Sequence, residues 1–126
     1  MRLKIGKSYG IRELIEIVKN KFDRDLDNYG KEKYNPDNYY SVYITKDETL
    51  KENSVVYVGE TSEIDDDDNE IYPNEVLENN LEFCYSCENF QAVIDLAYEQ
   101  KSNASINEFI KCLDYYSKRD TFLYLQ

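Results

Sequence analysis

Four consecutive aspartates, Asp65-Asp66-Asp67-Asp68, are the densest run of like charge in the chain. Oxygen-rich runs invite a calcium reading, but a calcium loop needs ligands at alternating positions, a glycine at the turn and a closing bidentate glutamate. None of that spacing is present, so the run reads as a solvated acidic loop suited to meeting a basic surface. Cys84-Tyr85-Ser86-Cys87 has Cys-x-x-Cys spacing. Redox use would require a lowered thiol pKa, and zinc would require two further ligands where only Cys112 remains. Plain buried or half-buried thiols are the expectation. Gly6-Lys7-Ser8 matches only the end of a phosphate loop, without the upstream glycine or a preceding strand.

The chain contains no histidine. That removes the commonest general base and the commonest transition-metal ligand. Neither a catalytic residue nor a metal or cofactor site is therefore expected, and the chain reads as a non-enzyme. Thirteen of the 126 residues are tyrosine. Tyrosine buries a large ring while keeping a hydroxyl for water or a partner, and it is enriched at protein interfaces.

The net charge is −11, and the stretch 46–100 holds two basic against sixteen acidic residues. Such a balance repels phosphate backbones and rules against direct nucleic-acid contact. It favours fast encounter with a basic protein. Arg2, Lys4, Lys7 and Arg12 form a basic N-terminal group, read as an internal complement to the acidic middle. No apolar run is long enough to span a membrane, and Met1 to Gly10 lacks the apolar centre of a secretory signal. The expected location is the cytoplasm, with reduced thiols.

The elements that must hold these groups follow from periodicity. Ile11, Leu14, Ile15, Val18 and Phe22 recur at helical spacing, which predicts a helix over about 9–24 with Ser8 as cap. Asp25 to Asn38 reads as a loop. Residues 39–45 and 54–58 are β-branched and aromatic and should pair as a hairpin. Glu60 to Asn80 reads as an extended surface loop, followed by a third strand from Leu81 to Tyr85. Asn89 should cap a helix carrying Phe90, Val93, Ile94 and Ala97. Ser105 and Glu108 should form a capping box opening a last helix with Ile106, Phe109, Ile110 and Leu113. The short connection between these two helices makes them a hairpin. Thr121 to Leu125 is β-prone and could return as a strand. The expected fold is α+β: one domain over 1–126, with a small, mainly antiparallel sheet packed against an N-terminal helix and a C-terminal helical hairpin.

The segment Gln100-Lys101-Ser102-Asn103-Ala104-Ser105-Ile106-Asn107-Glu108-Phe109, followed by Asp114-Tyr115-Tyr116-Ser117-Lys118-Arg119-Asp120-Thr121-Phe122, resembles bacterial immunity-type proteins of polymorphic toxin and contact-dependent growth inhibition systems. Their pattern is a Gln-Lys-Pro-Asn-Ala turn, a helix ending in tyrosines and an Asp-Ala-Phe-like finish; Ser102 stands here for the proline and Thr121 for the alanine. The resemblance covers residues 89–125 and implies neutralisation of a cognate toxin domain, with no catalytic residues. For a nuclease toxin, an acidic protein can occupy the basic cleft in place of the nucleic acid. The expected contacts are then Glu63, Asp65, Asp66, Asp67, Asp68, Glu70, Tyr72, Glu75 and Glu78. The rival readings are an acidic adaptor or nucleic-acid mimic acting on a host enzyme, and a thiol-dependent enzyme using Cys84 and Cys87.

Overall fold

A computed structural model describes residues 2–125. The chain opens with strand β1 (Lys7–Gly10) and turns directly into helix α1 (Ile11–Lys19). A two-stranded ribbon, β2 (Asp25–Leu26) and β3 (Glu32–Lys33), and a 3₁₀ turn at Pro36–Asn38 precede the central hairpin of β4 (Ser41–Thr45) and β5 (Val55–Gly59). A second small ribbon, β6 (Glu63–Ile64) and β7 (Glu70–Ile71), leads into the short helix α2 (Asn74–Glu78). Strand β8 (Leu81–Ser86) then feeds α3 (Cys87–Gln100), and α4 (Ile106–Arg119) completes the order. The main sheet runs β1-β5-β4-β8 with every neighbouring pair antiparallel. The fold is the expected α+β arrangement.

The alternation of side chains along a strand divides the sheet into two faces. Tyr9, Val42, Val56, Val58 and Tyr85 join one core with Leu14, Ile15 and Val18 of α1, Phe90 and Ile94 of α3, and Phe109 and Leu113 of α4. Each such buried side chain contributes about 1.5–3 kcal/mol relative to its exposure. Tyr43, Tyr57 and Phe83 form a row across the opposite face, as the register pairs Tyr43 with both of the others. Cys84 interrupts β8 as a one-residue bulge, because Val42 faces Tyr85 while Tyr43 faces Phe83.

Several boundaries differ from the sequence reading. Ser8 lies inside β1, and Gly10 holds the N-cap position without a side-chain bond. Helix α1 stops at Lys19, Lys21 adopts φ 62°, and Phe22 is left 44% exposed instead of extending the apolar stripe. Helix α3 starts earlier than Asn89. Ser86 is its cap, accepting from the Asn89 amide at 3.2 Å. The Ser105–Glu108 capping box forms as expected, with both reciprocal bonds present. Thr121 to Leu125 does not form a strand. The Gln100 side chain satisfies its backbone instead, accepting from the Leu125 amide at 2.7 Å and donating to the Leu123 carbonyl.

A buried polar network joins the turn after α1 to α3. Asp23, 2% exposed, accepts from the Arg24 guanidinium at 2.9 Å, the Tyr40 hydroxyl at 2.8 Å and the Gln91 amide at 2.7 Å. Arg24 reaches on to Asp95 at 2.7 Å. Among the described residues no buried side-chain nitrogen or oxygen lacks a hydrogen-bond partner, which is the condition for tolerating charge in a core.

Candidate partner-binding surface

The acidic segment is a folded lobe and not the extended loop that its charge suggests. Glu63 pairs with Ile71 and Ile64 with Glu70 in the β6–β7 ribbon. The reversal between them is built by the first aspartate of the run. One carboxylate oxygen of Asp65 accepts from the amides of Asp67 and Asn69, each at 2.9 Å, while the Asp68 amide donates to the Asp65 carbonyl at 3.1 Å. Asp68 takes φ 61°, a left-handed conformation that Asp tolerates better than most residues. Aspartate is a turn former through such local bonds as well as a charge.

The lobe is seated on the aromatic outer face of the sheet. Tyr72 stands edge-on to Tyr43, with centroids 6.1 Å apart and planes at 86°. Tyr43 also contacts Tyr57 and Phe83, each at 6.3 Å, and is fully buried beneath them. Its hydroxyl donates to the Glu60 carbonyl at 2.7 Å, which ties down the first residue after β5. Val76 of α2 is 2% exposed and anchors the far end of the lobe. The Tyr72 hydroxyl donates to Glu70 at 2.6 Å. That bond, with burial and the carboxylate charge, pushes its pKa up to about 12.

This mounting sorts the sequence-derived contact residues. Glu63, Asp66, Asp67, Asp68, Glu70, Glu75 and Glu78 are exposed. Asp65 and Tyr72 are half-buried and spend their polar groups inside the lobe. From Glu60 to Asn80 there is no Lys or Arg, and among the described residues no carboxylate of this stretch is in an ion pair. The basic N-terminal group does not neutralise it. Arg2 pairs with Asp25 at 3.1 Å, Arg12 pairs with Glu52 at 3.2 Å, and Lys7 lies over the Tyr9 ring. Nor, among the described residues, do any three Cys, Asp or Glu side chains converge to hold a metal ion.

Sequence reasoning missed the apolar part of this surface. Ile64, Ile71 and Leu77 are 60%, 50% and 65% exposed within the acidic lobe, and Phe83 is 48% exposed beside it. Apolar residues bracketed by unpaired charge match the core-and-rim composition of protein interfaces. The available signal was the isolated apolar residues inside a carboxylate-rich stretch.

The Cys-x-x-Cys thiols are built differently from a redox pair. Cys84 is half-buried at the bulge, and burial with the Glu82 charge pushes it up to about 11. Cys87 is buried in the first turn of α3, where desolvation raises its pKa despite backbone hydrogen bonds. Both shifts favour the thiol over the nucleophilic thiolate.

No helix among the described residues is long and apolar enough to cross a membrane. Residues 24–125 match the family model described as a domain of unknown function, DUF7716. No curated protein and no solved structure matches the chain.

Proposed function

The chain belongs to the DUF7716 family, and from its geometry we propose that it is an immunity protein that binds a cognate bacterial toxin domain and neutralises it. The observation that carries this reading is the unpaired acidic lobe held on the sheet. Its carboxylates stand on a hydrogen-bonded ribbon and a helix, seated by Tyr43, Tyr72 and Val76, so little ordering entropy is lost on docking. A nuclease cleft lined with Lys and Arg is the complementary surface. Long-range attraction between the two raises the association rate. Ile64, Ile71 and Leu77 then supply the desolvated contacts that slow dissociation. The resemblance over residues 89–125 to immunity proteins of contact-dependent growth inhibition systems points the same way. The site of action would be the cytoplasm, where such a toxin meets its nucleic acid.

The test is binding and protection against the product of the adjacent gene. The variant carries Asp66→Asn, Asp67→Asn and Asp68→Asn, with Asp65 kept to hold the turn. We expect weaker binding, a slower association rate and a shallower salt dependence than the native chain. Unchanged affinity and salt slope remove the lobe from the interface, and a chain that ignores that product and modulates a host enzyme is an adaptor instead.

A further inference from the structure

A second feature lies at the end of the sheet from which the lobe emerges. Ser41 is paired on one side with Gly59, where β5 runs into the lobe, and on the other with Ser86, where β8 runs into α3. Tyr39, just before β4, and Cys87, the first residue of α3, line a cavity of about 210 Å³ at this end. Tyr34 and Tyr39 form two of its walls, with ring centroids 5.8 Å apart and planes at 86°. Glu32 and Lys33 of β3, Asn35, Asn38, Glu88 of α3 and Gln91 make up the polar part of the lining.

We infer that this cavity is an aromatic cage that takes one cationic side chain, Lys or Arg, from the docked protein partner. A tyrosine ring attracts a cation through its quadrupole, modestly at exposed sites, and Tyr34 and Tyr39 are 77% and 44% exposed. Glu32 and Glu88 add formal negative charge, and among the described residues neither is in an ion pair. Two carboxylates against one ammonium leave the lining with an excess of negative charge. The one cation in the lining, Lys33, is set across the β2–β3 ribbon from Asp25.

An anion is the wrong occupant. Two amides of the helix end that would attract it are already spent. The Cys87 amide donates to the Tyr40 carbonyl at 3.1 Å, and the Asn89 amide donates to the Ser86 hydroxyl. Size disfavours larger ligands as well. Pockets for drug-sized molecules run to roughly 300–1,000 Å³, whereas 210 Å³ suits a single side-chain head group with its waters. The source of the cation rests on the partner-binding function proposed above; the recognition chemistry does not.

The experiment is a titration of the full chain with Nα-acetyl-arginine methylamide, followed by NMR of the Tyr34 and Tyr39 rings, with inorganic phosphate as the opposing probe. A saturable shift at these two rings at millimolar concentrations is expected, and Glu88→Gln and Tyr39→Leu should each weaken it by about threefold or more. Glu88 and Tyr39 are both exposed, and unchanged backbone spectra verify that the variants fold. Three results overturn the inference: no saturable shift, shifts confined to residues 60–80, or a shift with phosphate in place of the arginine derivative. Because the readout is local and uses the isolated chain, its failure leaves the acidic lobe's role standing, and failure of the lobe leaves this cage standing.

Discussion

The ring of Tyr57 lies across Gly59 of its own strand so closely that a Cβ at position 59 would sit 2.5 Å from Tyr57 Cε2 and 3.4 Å from Tyr43 Cε2. The glycine is needed for space. Without it the two tyrosines on which the lobe rests could not keep their present arrangement.

Gly59→Ala should therefore destabilise the chain by about 1–3 kcal/mol, the usual cost of overpacking. Urea unfolding followed by circular dichroism measures this. Placing the same change in a Tyr57→Ala background should recover most of the loss, since the clashing ring is gone. An equal cost in both backgrounds would show that crowding by Tyr57 is not the reason for the glycine.

Arg24→Met should cost more. The substitution retains much of the side-chain volume but leaves Asp23 charged, 2% exposed and stripped of its guanidinium. Breaking one partner out of a buried pair costs about 3–5 kcal/mol. Thermal unfolding should show a large drop, partly relieved by adding Asp23→Asn, which removes the orphaned charge. If Arg24→Met alone unfolds like the native chain, the network contributes nothing measurable.

High pH should weaken the fold before low pH does through these groups. Cys84 is pushed up from 9.0 to about 11 by burial, and Tyr72 from 10.0 to about 12, chiefly by its bond to Glu70. Tyr40, buried beside Asp23, and Tyr85, buried against α4, are also raised well above their ordinary value. The folded chain thus holds these protons more tightly than the unfolded one. Their contribution is fully present below pH 9.0 and is lost as pH rises through about 11 to 12. The urea midpoint should fall across that window, with phenolate absorbance of the buried tyrosines appearing only on unfolding. A midpoint that rises there reverses the assignment.

Within the aspartate run, position 65 should behave unlike its neighbours. Asp65→Ala removes the acceptor for two amides and should loosen the turn, costing about 1–2 kcal/mol locally. Asp66→Ala and Asp67→Ala remove like charges that touch no cation and should leave stability unchanged or slightly raised. Hydrogen exchange of the Asn69 amide distinguishes the two kinds of residue.

The core elements were legible because their residues obey one period. Val42, Val56, Val58 and Tyr85 alternate along strands, and Phe90, Val93, Ile94 and Ala97 repeat as a helix, so the hairpin, the third strand and the paired helices were all readable. Strand β1 was not, since Lys7-Ser8-Tyr9-Gly10 offers one apolar side chain and becomes a strand only by pairing with Val55–Gly59. Both two-residue ribbons escaped for a similar reason: side-chain-to-backbone bonds from Asp27 and Asp65 build their turns, and periodicity does not register those. For the surface, the charge was visible in composition, whereas the seating of Tyr72 on Tyr43 depends on strands distant in sequence.

The pairing of β1 with β5 sets a limit on how this domain can be cut. The family match begins at Arg24, yet the strand that covers one edge of Val55–Gly59 and the helix that packs on α3 both precede it. A fragment trimmed to the matched stretch would bare a Val-Val-Tyr-Val ribbon with unpaired amides and carbonyls, the template from which intermolecular β-aggregates grow. The borders of the family match and of the folded unit therefore differ: β1 closes the edge of β5, and α1 fills the core beneath it.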